Sequence, residues 1–415
     1  MTHIKERTSS SKNPIGHVAF LGKALRAKPK KPLRLFLFIL SFILSSGAIV
    51  LPELQIHKLK KKEKRHQMLL NKLKYQTIQA HCLGGASLPL SLVNIPFAED
   101  SGLVVDVKTL KIRGVEAPYN PSLISSSSGY HLFFRYDLMN SKAKYAPFHS
   151  HIGVVSLNDQ FEQTEQEFKK IPFTSNYTDD PRALWVGDKL YLSFNVLNEE
   201  NIRCRNVAIA QVNPETFDID YSTILDPNIK QVEKNWTPFA YSAEGKAPEL
   251  FFEYQISPRA VFSLLDPRKN ELGLLSIPSN ISHFSLGWRE KWGKIRGGTP
   301  AQKVGDEYLG FFHSAIEEKN GMFWYIMGAY TFQAEPPFAI TGMSKCPIFF
   351  KGIFDTPIRN TGQQYKRIIF PSGFVVEKQQ DRELIHVACG ENDSGIKIVT
   401  LDKKILLKSL TRFEH

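Results

Sequence analysis

The residues of this chain that could do chemistry recur at one place in a repeated pattern. Asp179-Asp180-Pro181-Arg182 puts two carboxylates and a guanidinium within four residues. A carboxyl group set against another carboxylate or a cation is raw material for general acid–base catalysis. The same plan, a polar residue beside Pro, returns at Asn120-Pro121, Asn235-Trp236-Thr237-Pro238 and Gly298-Thr299-Pro300, and in apolar form at Phe370-Pro371-Ser372-Gly373. In the first four, a polar turn follows, such as Gly187-Asp188 or Gly305-Asp306, and then an apolar-aromatic run closing on a polar residue. These runs are YHLFFR ending at Arg135, LYLSFN at Asn195, ELFFE at Glu253 and YLGFFH at His313. Each feature alone has a plain structural reading: X-Pro sets an extended start to a strand, and Gly-Asp makes a hairpin turn. As a set, mixed carboxylate, amide, Arg and His groups around one axis suit a sugar-binding site.

Groups this scattered meet only if the elements between them converge. Beyond about residue 80 there is no long stretch of helical periodicity. The 29 Phe and 14 Tyr of the chain, with many Val and Ile, favour strands. Units begin near 120, 180, 235, 298 and 370, a period of roughly sixty residues that suits a four-stranded propeller blade with long loops. A β-sandwich would supply many short strands but has no need of five equivalent units. The expected fold is therefore all-β: a five-bladed β-propeller over residues 81–415, with the first strand of each blade lining a central funnel. On that plan Asn120, Asp180, Asn235 and Thr299 are equivalent positions, as are Arg135, Asn195, Glu253 and His313. Trp236 and Trp288 serve either as stacking surfaces for sugar rings or as core.

The net charge of +12 would suit a nucleic-acid binder if it were spread over the folded part. Instead Lys and Arg crowd into Lys5–Arg34 and Lys58–Lys74, on either side of an uncharged run, Leu35–Leu51, that ends at Pro52. That is a charged collar around a membrane segment, and it argues against a nucleic-acid partner. Seventeen residues at about 1.5 Å each reach roughly 26 Å, the lower limit for a bilayer span. The basic region before them is too long for an ordinary cleaved signal. The expected order is a basic, disordered tail (1–34), a transmembrane signal-anchor (35–52), a charged stalk (53–80) helical around Met68–Leu73, and the propeller (81–415). Both flanks of the span are basic, so charge bias partly cancels. The type II arrangement is the favoured one, with the large domain in the Golgi or ER lumen of a eukaryote or held at the inner membrane of a bacterium. Asn176-Tyr177-Thr178, Asn235-Trp236-Thr237 and Asn280-Ile281-Ser282 are formal glycosylation acceptors. Cys82, Cys204, Cys346 and Cys389 lie far apart with no CxxC, which argues against a structural zinc site and leaves one or two disulfides open.

At these motifs the chain resembles glycoside hydrolase family 130, the inverting β-mannoside phosphorylases and hydrolases, and the related β-1,2-mannosyltransferases of the same fold. The matching segments, in the family's order, are NPSLISSSSGYHLFFRYD, DDPRALWVGDKLYLSFN, EKNWTPF, GGTPAQKVGDEYLGFFHS, YIMGAYTFQAEPPFAI with the later CPI, and IIFPSGFVV with LIHVACGENDSGI. They cover roughly residues 100–400. The resemblance implies that Asp180 is the general acid, with Asp179 standing where the family usually has Glu. It implies sugar contacts from Asn120, Arg135, Arg182 and Asp393, and places Lys234, Asn235 and His313 near the leaving-group or acceptor side, with Trp236 beside them. No cofactor or metal is implied. The partner is a glycan, with phosphate or a nucleotide-sugar as the second reactant. A tethered chain fits a glycosyltransferase or glycan-trimming glycosidase. A glycoside phosphorylase, or a propeller that binds glycan without catalysis, is the alternative.

If residues 35–52 span a bilayer, the full chain stays in the membrane pellet after alkaline carbonate extraction, while a chain beginning at about residue 80 moves to the supernatant. Release of the full chain by carbonate would sink the anchor.

Overall fold

The computed structural model describes residues 59–63 and 88–413, apart from 94, 140–147, 198–203, 226–231, 267–270, 276–286 and 359–365. The chain divides into two units, residues 1–87 and 88–415. The tail, the expected anchor at 35–52 and most of the stalk lie outside the described residues; of the stalk, residues 59–63 are helical. Among the described residues no helix is long and apolar enough to cross a membrane.

From Leu88 onward the architecture is all-β. Strand β1 (Val104–Leu110) comes first and is set aside until the end. The first four-stranded unit is β2 (Tyr119–Ser126), β3 (Gly129–Met139), β4 (Phe148–Leu157) and β5 (Lys169–Lys170). The second is β6 (Thr178–Val186), β7 (Lys189–Leu197), β8 (Arg205–Val212) and β9 (Ile219–Leu225). The third is β10 (Thr237–Tyr241), β11 (Glu249–Gln255), β12 (Ala260–Asp266) and β13 (Glu271–Leu274). In the fourth, β14 (Arg296–Gly297) and β15 (Gln302–Val304) share the innermost place, followed by β16 (Glu307–Glu317), β17 (Phe323–Gln333) and β18 (Ile340–Ser344). The fifth is β19 (Lys366–Gln379), β20 (Arg382–Glu391) and β21 (Gly395–Asp402), and β1 completes it by pairing antiparallel with β21. An N-terminal strand thus closes the last unit, which is how a propeller joins its ends and leaves no open seam.

The core explains why the middle strands read as continuous apolar runs. It consists of five clusters, and each fills the seam between two neighbouring units. Ile124, Phe133 and Leu192 join the first to the second; Leu184, Ile209 and Phe252 join the second to the third. Phe239, Phe312 and Phe332 join the third to the fourth, Phe311, Phe374 and Val387 the fourth to the fifth, and Leu132, Val375 and Ile398 close the ring. A middle strand such as β7 is therefore buried on both faces, whereas outermost β9 alternates as a half-exposed strand does.

The innermost strands crowd one another around the axis. A Cβ on Gly298 would stand 2.4 Å from the Phe311 carbonyl oxygen and 2.9 Å from that of Pro371, so this position accepts only glycine. Beneath the third unit lies a buried charged network. Glu253 pairs with Arg259, accepts from Tyr330 and takes the Thr237 hydroxyl at 2.7 Å; Arg259 donates to the Phe338 carbonyl at 3.0 Å and lies on the Phe332 ring. Both charged side chains are fully buried.

Removing one member of that pair leaves the other charge stranded. Arg259→Met is expected to lower unfolding free energy by about 3–5 kcal/mol, read by urea denaturation, while adding Glu253→Gln to it restores much of the loss. A double variant no more stable than the single one would contradict this.

Candidate active site

The mouth of the funnel is made by backbone irregularities in the inner strands. Against β3 the register of β2 skips from Tyr119 to Ser122, and against β7 that of β6 skips from Asp179 to Arg182. Asn120-Pro121 and Asp180-Pro181 are thus bulges, in which the missing Pro N–H costs no ladder bond. Asn120 has φ 46°, Asp180 53° and Asn235 63°: all three are left-handed, which Asn and Asp tolerate better than other side-chain-bearing residues. This corrects the reading of Asn120-Pro121 and Asp180-Pro181 as extended strand starts. A left-handed first residue turns its side chain out of the pleat toward the axis. Conformations of this kind persist where surrounding structure holds them, as it does here.

Two amides and a guanidinium hold Asp180. Asn120 donates Nδ2 to Oδ1 at 2.7 Å, Asn195 donates Nδ2 to Oδ2 at 3.0 Å, and Arg135 Nη1 stands 3.6 Å from Oδ1. The carboxyl side chain keeps 15 % of its surface open to the funnel. Its neighbour Asp179 is buried. Arg205 pairs with Oδ2 of Asp179, and Arg135 Nη1 lies 3.4 Å from the same oxygen. Against the cost of burial, Arg135 and then Arg205 bring the Asp179 carboxyl below the ordinary carboxylate value, so it is ionised at neutral pH. Arg135 is itself fixed by Asp137 Oδ1 at 3.3 Å, Ser150 Oγ at 2.8 Å and the face of Tyr119.

Across Asp180 the charge changes sign. Arg182, 1 % exposed, spends Nε on the Gly298 carbonyl at 2.7 Å and Nη1 on the Asp180 carbonyl at 3.0 Å, while Nη2 is buried without a hydrogen-bond partner. It therefore does not point at the Asp180 carboxylate. Lys234 reaches solvent, and the protein packed around it lowers its ammonium's pKa, Asp180 opposing and Arg205 adding to that effect. Arg296 pairs in register with His313 on β16. Burial first, then Arg296, Arg182 and Lys234, holds His313 well below the ordinary imidazole value. Its Nδ1 is also buried without a partner, and its ring packs on Phe370 at 4.5 Å. Three cations gathered about His313, with two buried nitrogens lacking partners, make a place for an anion.

The structure gathers Asn120, Arg135, Asp179, Asp180, Arg182, Lys234 and His313, and puts Asp393 near them in the left-handed turn after β20, close enough to act electrostatically on Tyr119. Asn235 follows Lys234, its carbonyl lying where a Cβ on Gly297 would be only 2.2 Å away. Trp236 is corrected: it is 1 % exposed, stacks on Phe262 and donates to Glu233 at 3.3 Å, so its ring is core and faces no sugar. Trp288 is core as well, and Glu253 belongs to the buried network below. Thr299 is not the fourth copy of Asp180. It spans the break between β14 and β15, accepting from Phe311 N at 3.0 Å, and Arg296 holds the register place opposite His313. Arg205 and Arg296 were missed; Asn195 was read as one of the polar groups around the axis, without the grip on Asp180 that it has. The basic run Lys294-Ile295-Arg296 just before Gly297-Gly298 was a usable signal; nothing in sequence marks Arg205.

His313 is neutral when folded and regains its ordinary proton affinity when unfolded. Its contribution to stability is present above about pH 6.5 and is lost as pH falls below it. In His313→Gln, the slope of unfolding free energy between pH 6.5 and 5 should flatten by up to ~1.4 kcal/mol per pH unit. An unchanged slope by urea denaturation would contradict the assignment.

No family model matches the sequence, and no curated protein matches it. Solved structures do. A glycosyl hydrolase from Bacteroides ovatus aligns with a TM-score of 0.50 at 13% identity, covering 77% of this chain and 94% of its own. The β-1,2-mannobiose phosphorylase from Listeria innocua, in complex with β-1,2-mannobiose, aligns with a TM-score of 0.49 at 14% identity, over 75% and 98% of the two chains. MPT-4, a mannose phosphorylase from Leishmania mexicana in complex with a phosphate ion, gives 0.49 at 13% identity, over 76% and 94%. At 13% identity the alignment with the Bacteroides ovatus protein shows a shared fold and nothing more.

Proposed function

We propose that this chain is a carbohydrate-active enzyme that makes or breaks a β-mannosidic or similar glycosidic bond with inversion, using Asp180 as general acid. One observation carries the reading: a partly open carboxyl, gripped by two amides, lies within electrostatic reach of Arg182 and Lys234, which together with Arg296 surround a neutral His313. In the cleaving direction Asp180 gives its proton to the bridging oxygen as the bond to the anomeric carbon breaks, and a nucleophile enters from the opposite face. In the synthetic direction Asp180, ionised, takes the acceptor hydroxyl's proton as that oxygen attacks the anomeric carbon and the bond from that carbon to the donor's phosphate oxygen breaks, releasing the phosphate or nucleoside diphosphate.

Hydrolysis with inversion needs a second carboxylate to activate water. Glu253 is removed from that role by its buried pairing with Arg259, and Asp179 by its two arginines. The cations supply instead what an anionic reactant needs: phosphate as nucleophile, or the diphosphate of a nucleotide-sugar as leaving group. This supports a glycosyltransferase or a phosphorylase over a hydrolase. We further propose that the domain is tethered through residues 35–52 and acts on glycans across the membrane from its basic tail, with type II topology.

A chain from about residue 80 is incubated with mannose-containing acceptors and GDP-mannose, mannose 1-phosphate or no donor. Extension with one donor, lowered by about 10²–10⁴-fold in Asp180→Asn, is the expected result and names the leaving group. Sugar release without a donor would instead establish a hydrolase. Retained glycan binding without turnover would overturn catalysis altogether.

A further inference from the structure

Arg205 lies outside every motif that the sequence offered, yet it reaches the carboxylate beside the proposed acid. It stands at the start of β8, opposite Leu197 on β7, and its carbonyl accepts from Glu233 N at 2.6 Å, so its backbone is tied to the segment carrying Lys234. Its guanidinium and that of Arg135 meet the same oxygen, Oδ2 of Asp179. Arg135 is anchored by Asp137, Ser150 and Tyr119, so Nη1 sits almost midway, 3.4 Å from Asp179 and 3.6 Å from Asp180. Two neighbouring carboxylates thus share one arginine, and a second arginine pairs with Asp179.

We propose that Arg205 is a positioning residue for Asp180: by neutralising Asp179 from the outer side it leaves Arg135 divided between the two carboxylates, and so sets how tightly Asp180 holds its proton. This rests on the reading of Asp180 as general acid. The other groups facing the pair are Tyr119 and Asp137 from the first unit, Arg182 beneath, Lys234 and Arg296 across the funnel, His313 on β16 and Asp393 in the turn after β20. Without Arg205 the Asp179 charge leans chiefly on Arg135, with Arg182 and Lys234 acting from farther off; Arg135 is drawn away from Asp180, and Asp180 keeps its proton to higher pH. Removing the Asp179 charge does the reverse.

The Asp180 carboxyl is followed directly, by ¹³C NMR of protein labelled at Asp, with the resonance assigned through Asp180→Asn. Its titration midpoint should rise by about one pH unit in Arg205→Met, fall by about one unit in Asp179→Asn, and stay within a few tenths in Arg205→Lys. Arg205 is partly exposed, and Asp179→Asn keeps shape, so both folds can be checked by urea denaturation; if Arg205→Met does not fold, Arg205→Gln takes its place. Midpoints that do not move, or that move the same way in both variants, overturn the proposal whether or not the protein turns over any substrate. Where turnover is found, the limb of the pH–rate profile that Asp180 sets, alkaline for cleavage and acid for synthesis, should shift with the midpoint, an effect that a scaffold residue would not produce. Absence of turnover in the unsubstituted chain overturns the enzymatic reading and leaves the NMR result to decide the coupling.

Discussion

A buried carboxylate must be neutralised or must give up its charge, and Asp179 sets this condition for the whole funnel. It lies 3 % exposed at the entrance of the second blade, next in sequence to the one carboxyl that the funnel leaves partly open. Burial of an unpaired charge would cost several kcal/mol. Arg135 from the first blade and Arg205 from the third strand of the second meet that cost together. Arg135 in turn engages Asp137, Ser150 and Tyr119, so the requirement of a single carboxylate propagates into the register of β2, β3 and β4. The two carboxyl groups differ because one is locked between arginines while the other is held by amides, which can accompany either protonation state.

The left-handed bulges depend on the packing beneath them. Five apolar seams, closed by β1 on β21, carry the ring, and the axial ends of the inner strands are left free for polar groups. Close approach of those strands admits no side chain at Gly298, whose carbonyl then becomes the acceptor that fixes Arg182. Arg182 lies buried with one nitrogen unpartnered, His313 is neutral beside it, and both rest on Phe370 of the fifth blade. Unpaired polar groups thus gather around Arg182 and His313, where an anion can compensate what the protein leaves unpaired.

Much of this was legible beforehand. The second-strand residues Arg135, Asn195, Glu253 and His313 were read as equivalent, and they do hold equivalent register places, opposite Tyr119, Asp179, Thr237 and Arg296. Equivalence of place did not bring equivalence of role. Glu253 was drawn into a buried network because Arg259, six residues on, and Tyr330, in the next blade, turn toward it. Trp236 looked like a stacking surface since it stands beside Asn235, but its ring lies in the seam with Phe252 and Phe262. The fourth repeat was aligned on Thr299-Pro300 because Pro marked the others; the register begins earlier, at Arg296, with the inner strand broken between.

What the sequence determined by itself was the repeat: a period near sixty residues, strands written as apolar runs, and polar residues at a fixed phase within each unit. Those features are local, set by alternation, turn chemistry and Pro, and so they can be read along the chain. What only the tertiary structure decided was which polar residues meet. Arg205 faces Asp179 across two strands, Arg296 and Lys234 face His313 from different blades, and Asn120 and Asn195 grip Asp180 from either side. Arg205 meets Asp179, Asn195 meets Asp180 and Arg296 meets His313 within one blade, whereas Asn120 reaches Asp180 and Lys234 nears His313 only because neighbouring blades converge; charge interactions that fall with distance have no counterpart in sequence spacing.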